Sequence, residues 1–238
     1  MIDAEVWKRQ AAERAVEWVE SGMVVGLGTG TTAVWAVRRI GERLADGTLH
    51  DIVGVPTAKA TAEEAERVGI RLLGDDVQWE IDLTIDGADE VDPALELVKG
   101  GGGALLREKL VAQSTRREVI VVDESKPSPV LGTKHALPIE VVDFGLATTV
   151  AWLQSLGATP VVRRGPGGAL YRTDQGNLIV DADFGPIPEP AALAERLGGH
   201  AGIVEHGLFV GLTDTLVVAG PDGIAIHHAH RSDAGKGS

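Results

Sequence analysis

Between Met23 and Val122 the chain repeats one unit: a short continuous apolar run, a turn rich in glycine, threonine, aspartate or lysine, and a stretch of helical periodicity. No other feature narrows the possible folds as far. Apolar runs without alternation read as strands covered on both faces, and strands separated by helices read as a parallel sheet. The runs fall at 23–27, 52–56, 70–73, 81–85 and 118–122. Helices are expected over 5–20 with Gly22 as the stop, from the Gly28-Thr29-Gly30-Thr31-Thr32 turn to about residue 44, over 61–68 and over 104–114. The first half is therefore α/β and Rossmann-like, a mostly parallel sheet with helices on both faces, and ligands bind such sheets beyond the carboxyl ends of the strands.

The pattern changes near Leu131. A strand over 137–142, a helix over 147–156, a hairpin over 171–182 turning at Asp174-Gln175-Gly176-Asn177, and a helix over 191–197 make an α+β segment of about 70 residues. Strands over 208–211, 215–219 and 224–226 follow, the last two joined through Gly220-Pro221-Asp222-Gly223. The expected organisation is a Rossmann-like catalytic domain from 1–130 and 205–230, a small α+β domain over 131–204, and a disordered tail over 231–238. His227, His228 and His230 stand close enough in sequence to suggest a metal, but an exposed histidine-bearing end is the plainer reading.

Composition excludes several functions. The 238 residues contain no cysteine, which removes disulfides, thiol nucleophiles and thiolate metal sites. A formal net charge of −13 argues against nucleic acid and anionic membranes as partners. No apolar run approaches membrane-spanning length and the start at Met1 lacks the pattern of a secretory signal, so the expected location is cytoplasmic. A surface of this sign also repels phosphorylated metabolites at long range. An anionic substrate must be captured by local donors.

Four motifs carry the chemistry. Lys99 is followed by the glycines Gly100, Gly101, Gly102 and Gly103, a run whose backbone N–H groups can approach a ligand closely. On the helix that follows, Glu108 has Ala104, Leu105, Val111 and Ala112 as its neighbours three and four residues away. A carboxylate on that face is partly stripped of water, which raises its pKa towards the range of a general base, and its side chain leans back towards the glycines. The plainer alternative is a surface glutamate on an amphipathic helix.

The turn Gly28-Thr29-Gly30-Thr31-Thr32 lacks the third glycine of a dinucleotide fingerprint and the Gly-Lys-Ser/Thr of a Walker A loop. It offers hydroxyls from Thr29, Thr31 and Thr32 at a helix N-terminus, a phosphate-type site, with simple capping as the alternative. Asp86-Gly87-Ala88-Asp89-Glu90-Val91-Asp92 follows a buried strand and does not fit a calcium loop. Asp86 and Asp89 are placed to hold sugar hydroxyls or move protons, while Glu90 and Asp92 fit a solvated loop. Finally, Asp123-Glu124-Ser125-Lys126 puts an ammonium just past another buried strand, either for a phosphate or as an ordinary turn lysine.

Together these motifs resemble the ribose-5-phosphate isomerase A family, in order and spacing, from about Glu5 to Ile226. The resemblance implies an aldose–ketose isomerase that interconverts ribose 5-phosphate and ribulose 5-phosphate through an enediolate, in the non-oxidative pentose phosphate pathway and without metal or organic cofactor. It implies a Rossmann-like large domain with a small ferredoxin-like domain, and a homodimer or homotetramer. By position, Glu108 matches the proton-transferring base, and Lys99, Asp86 and Asp89 match residues around the reacting sugar, with the roles of the two aspartates interchangeable. Thr29, Gly30, Thr31, Thr32, Gly87, Ala88, Gly100, Gly101, Gly102 and Lys126 match substrate- and phosphate-binding positions, and Lys8 falls where the family has a lysine near the phosphate. Thr31 replaces a frequent serine and Leu106 a more usual threonine.

Two other functions fit parts of the pattern. A sugar-phosphate sensing domain of a transcription regulator would use the threonine loop without chemistry, but the first helix begins at the chain's start and the charge is wrong for DNA. An amino-sugar-phosphate deaminase would share that loop, yet leaves the Lys99-to-Glu108 segment unexplained.

Overall fold

The computed structural model describes residues 4–229. The first half alternates as the sequence predicts: α1 (Ala4–Val16), β1 (Val24–Leu27), α2 (Gly30–Ala45), β2 (Val53–Pro56), α3 (Lys59–Arg67), β3 (Arg71–Leu72) and β4 (Leu83–Asp86). After two short strands, β5 (Glu90–Val91) and β6 (Leu97–Val98), come α4 (Leu105–Gln113) and β7 (Glu118–Asp123). The chain then builds β8 (Leu137–Val141), α5 (Leu146–Ser155), β9 (Thr159–Val162), β10 (Leu178–Asp183), α6 (Pro190–Gly198) and β11 (Ile203–His206). It ends with β12 (Leu208–Phe209), β13 (Thr215–Gly220) and β14 (Gly223–His228). The tail expected over 231–238 lies outside the described residues.

The main sheet has seven strands in the order β14-β13-β7-β4-β1-β2-β3, parallel throughout except for the edge strand β14. Period-two side-chain geometry explains why its runs are apolar on every position. In β7, Val119 and Val121 join a core with α1 and α2, while Ile120 and Val122 face the opposite core with Leu97 and Phe209. Helix α2 supplies the matching stripe, Ala33, Ala36, Val37 and Ile40, at helical spacing. Each fully buried aliphatic side chain contributes about 1.5–3 kcal/mol, so these two layers dominate the stability.

Strands β8 to β11 form a second, antiparallel sheet in the order β11-β8-β10-β9, with α5 and α6 packed on it, the ferredoxin-like β-α-β-β-α-β arrangement. The hairpin expected over 171–182 does not form as such, which corrects the reading from sequence. Its first arm makes only an isolated bridge, Arg172 to Leu178, and the strand partner of β10 is β9. Strand β9 is an edge strand carrying Pro160 and alternating between exposed and half-buried positions, so it shows no apolar run in sequence. A third small sheet, β12-β6-β5, joins the two larger ones, and residues 208–209 return to it rather than to the main sheet.

The strand order reverses between β1 and β4, since β1 continues through α2 towards β2 on one side and meets β4 on the other. The ends of these two strands touch at Gly28, whose N–H donates to Ile85 O at 3.0 Å. A Cβ on Gly28 would sit 2.4 Å from Asp86 Oδ1 and 2.5 Å from Ile85 O. Gly28→Ala should therefore push the two strand ends apart and lower the unfolding free energy by about 1–3 kcal/mol, measured by urea denaturation, with a loss of activity larger than the loss of stability.

Candidate active site

The reversal point opens into a small cavity of about 100 Å³. Its walls are residues 29–32, 87–89, Lys99 to Gly102, Glu108 and Lys126. Residues that lie far apart in sequence therefore meet at one place, and every predicted site residue except Asp86 and Lys8 lines it.

One end is an anion cradle. Helix α2 starts at Gly30, with Thr29 as an extended N-cap whose side chain makes no capping bond, so the Thr29 hydroxyl is not spent on the helix. The first-turn N–H groups and the positive end of the helix dipole open onto this end of the cavity, an arrangement suited to an anion. Lys126 stands opposite on the loop after β7, and its ammonium forms no ion pair with a described residue.

The other end is a buried ion cluster. Lys99 Nζ lies 3.1 Å from Asp86 Oδ2 and 3.0 Å from Glu108 Oε1, with the three residues 2%, 1% and 5% exposed. It also donates to Gly87 O. Burial alone would lower the Lys99 pKa, but the charges of Asp86 and Glu108 outweigh it and raise the ammonium above its ordinary value. Burial pushes the Glu108 carboxyl up to about 7, with Lys99 opposing and Asp86 adding to the rise. The second oxygen of Glu108, Oε2, has no hydrogen-bond partner in the described structure. A carboxylate in this state can take and return a proton near neutral pH.

Asp86 lies behind this cluster. Its Oδ1 accepts N–H bonds from Thr29 (3.1 Å) and Gly87 (2.7 Å), its Oδ2 pairs with Lys99, and it does not line the cavity. Asp89 does line it, with Oδ2 accepting the Gly101 N–H at 2.7 Å. Lys8 is elsewhere. It pairs with Glu5 at 2.7 Å on α1, one turn away on the same helix, and takes no part in the cavity walls.

Several residues behind the site carry no sequence motif. Lys109, adjacent to Glu108, is buried and ties α4 to the second sheet by donating to Glu205 Oε1 and His206 O, both at 2.6 Å. The Phe209 ring lies 5.5 Å from Lys99 Nζ and 5.0 Å from Lys109 Nζ. Lys99 N–H donates to Gly207 O at 2.9 Å, which fixes the start of the glycine run. The tandem Arg-Glu-Lys at 107–109 is the only one of these features visible in sequence. Among the described residues no group of three His, Asp or Glu side chains could hold a metal ion, and His230 lies outside them. No described helix is long and apolar enough to cross a membrane.

An α/β fold that sets a helix N-terminus and a lysine beside a carboxyl poised near neutrality has the parts a sugar-phosphate isomerase needs. The ribose 5-phosphate isomerase A (phosphoriboisomerase A) profile matches residues 53–223. The ribose-5-phosphate isomerase A of Chloroflexus aurantiacus is 58% identical over 97% of this chain and 96% of its own length, and that of Desulfatibacillum aliphaticivorans is 53% identical over 94% and 97%. Among solved structures, a D-ribose-5-phosphate isomerase in complex with phospho-erythronic acid superposes with a TM-score of 0.93 at 35% identity, covering 95% of this chain and 100% of that one. Ribose 5-phosphate isomerase from Plasmodium falciparum gives 0.92 at 37%, with the same coverage. The chain belongs to the ribose 5-phosphate isomerase A family and is an enzyme of the aldose–ketose isomerase class.

Glu118 on β7 is a second buried carboxyl near this cluster, pushed well above its ordinary pKa by burial first and then by Asp86, with Lys99 opposing. A raised carboxyl pKa means that the folded chain binds more protons than the unfolded one, so stability falls as pH rises above about 4.5. Glu118→Gln should raise the thermal midpoint at pH 8 and change it little at pH 4, as read by calorimetry at both pH values.

Proposed function

We propose that this chain interconverts D-ribose 5-phosphate and D-ribulose 5-phosphate, with Glu108 as the base that carries the proton between C2 and C1. The observation that carries this reading is the buried Glu108 carboxyl, pushed up to about 7 and 3.0 Å from the Lys99 ammonium. Removal of the C2 proton from the open-chain aldose leaves an enediolate. Return of that proton to C1, with the O2 hydroxyl proton passing to O1, gives the ketose. The negative charge that builds on the sugar oxygens in between is stabilised by the buried Lys99 ammonium and by the Gly102 N–H, both fixed donors.

The phosphate is held by the first turn of α2, the hydroxyls of Thr29, Thr31 and Thr32, and Lys126. Asp89, which faces the cavity, accepts the hydroxyl proton during ring opening. Asp86, already engaged by three donors, serves as the fixed countercharge that keeps Lys99 protonated. The reaction belongs to the non-oxidative branch of pentose phosphate metabolism.

The direct test is incubation of the purified protein with ribose 5-phosphate and a chelator, followed by a ketose assay. Formation of ribulose 5-phosphate upholds the reading, and no ketose would favour a sensing or deaminase role for the same pocket. Glu108→Gln should keep substrate affinity and lose about 10²–10⁴ in kcat. Because the base must be ionised, kcat/KM should fall about tenfold per unit as pH drops below about 7, a limb absent from the residual activity of Glu108→Gln. Lys126→Ala should raise KM roughly 10- to 100-fold, the loss of one charge-assisted bond, with kcat nearly unchanged.

A further inference from the structure

The glycine run is held from outside the main sheet. Gly100 O and Gly101 O accept from Arg163 Nη1 at 3.1 and 3.0 Å, and Gly102 O accepts from Tyr171 Oη at 2.9 Å. Three consecutive carbonyls are thus taken by two side chains from the connection between β9 and β10. Arg163 follows β9 directly, and its guanidinium is itself fixed by a two-pronged pair with Asp181 on β10, Nε to Oδ2 at 2.9 Å and Nη2 to Oδ1 at 2.5 Å. The guanidinium also lies 5.7 Å from the Tyr171 ring, so the two residues brace each other.

The direction of these carbonyls decides where the N–H groups point. In a trans peptide the C=O of one residue and the N–H of the next are antiparallel, and no peptide in the described structure is cis. Gly101 N–H is occupied by Asp89 and Gly103 N–H by Gly100 O, at 2.7 and 2.8 Å. Gly102 N–H has no acceptor among the described residues, and Arg163 on the preceding carbonyl turns it away from the second sheet, towards the cavity that Gly102 lines. The fit is close, since a Cβ on Gly103 would lie 2.3 Å from Tyr171 Oη.

The geometry points to Arg163 and Tyr171 as positioning residues for the isomerisation, which set the glycine run so that the Gly102 N–H donates to the oxyanion of the enediolate. They touch no reacting atom. The ferredoxin-like sheet is in this sense part of the active site, acting through the backbone it grips. The inference rests on the proposed isomerase reading for its catalytic consequence, but the grip itself can be measured separately.

The experiment compares the full-length wild type with Arg163→Ala, Arg163→Lys and Tyr171→Phe, using ribose 5-phosphate turnover and amide hydrogen exchange at residues 100–103. Arg163→Ala is expected to lose about 10²-fold in kcat with KM within about threefold, the signature of an interaction felt only in the transition state. Free guanidinium should restore part of that kcat, and Arg163→Lys should recover less than guanidinium does, because a lysine cannot span two carbonyls and a carboxylate. Tyr171→Phe, which keeps the ring and removes one bond, should lose about tenfold in kcat and exchange the Gly103 amide faster. If Arg163→Ala does not fold, Tyr171→Phe decides alone. Turnover within twofold of wild type in the folded variants, or a rise in KM that matches the fall in kcat/KM, overturns the inference. Should the wild type itself produce no ketose, the isomerase reading fails. Faster exchange at residues 101–103 in the variants then still upholds the grip, and unchanged exchange overturns it.

Discussion

One ammonium between two buried carboxylates is the interaction on which this structure depends. Removing Lys99 would leave two buried carboxylates without a countercharge, a far larger penalty than the loss of a surface pair. The three groups come from three separate pieces of chain: Asp86 from the end of β4, Lys99 from the end of β6, and Glu108 from the first turns of α4. They can meet only if β1 lets β4 approach at Gly28, if Gly207 O pins the Lys99 backbone, and if Lys109 locks α4 onto the second sheet. The fold around the site is the set of constraints that keeps this cluster closed.

The two carboxylates are not equivalent, and the difference lies in their hydrogen bonds. Asp86 accepts from two backbone N–H groups besides Lys99, which hold it still. Glu108 has Lys99 as its partner and one bare oxygen, so its proton affinity is set mainly by burial. In the proposed reaction the two acids do different work, a pattern that recurs wherever proton transfer must run near neutral pH. The cradle solves a separate problem. On a chain of net charge −13, an anion is drawn in only by donors at short range, and the α2 N-terminus with Lys126 concentrates them at one end of the cavity.

Much of this is legible in the amino-acid sequence, for reasons that differ by element. The parallel sheet follows from apolar runs that need no tertiary knowledge, and the burial of Glu108 follows from its four apolar neighbours on one helix. Asp86 reads from sequence as a cavity residue because it ends a strand, but its burial depends on which strand lies beside β4, which local pattern does not encode. Strand β9 hides because an edge strand with a proline has no apolar run, and β5 and β6 hide because two residues have no periodicity. Lys8 carries no motif, and its ion pair with Glu5 is a local helical contact that family resemblance alone does not convey. The hold of Arg163 and Tyr171 on the glycine run spans more than 60 residues of separation and leaves no local trace.

The buried cluster also has an electrical consequence. With Glu108 ionised, the cluster carries one surplus negative charge. When Glu108 takes a proton from the sugar in the proposed reaction, that charge passes to the enediolate a short distance away, and it returns when the proton does. The sum inside the cavity stays constant from substrate to product. Charge shifts over a few ångströms without entering or leaving, so surrounding dipoles and water have almost nothing to rearrange. A pocket of this kind is a closed circuit, and its two directions of turnover meet the same electrostatic landscape.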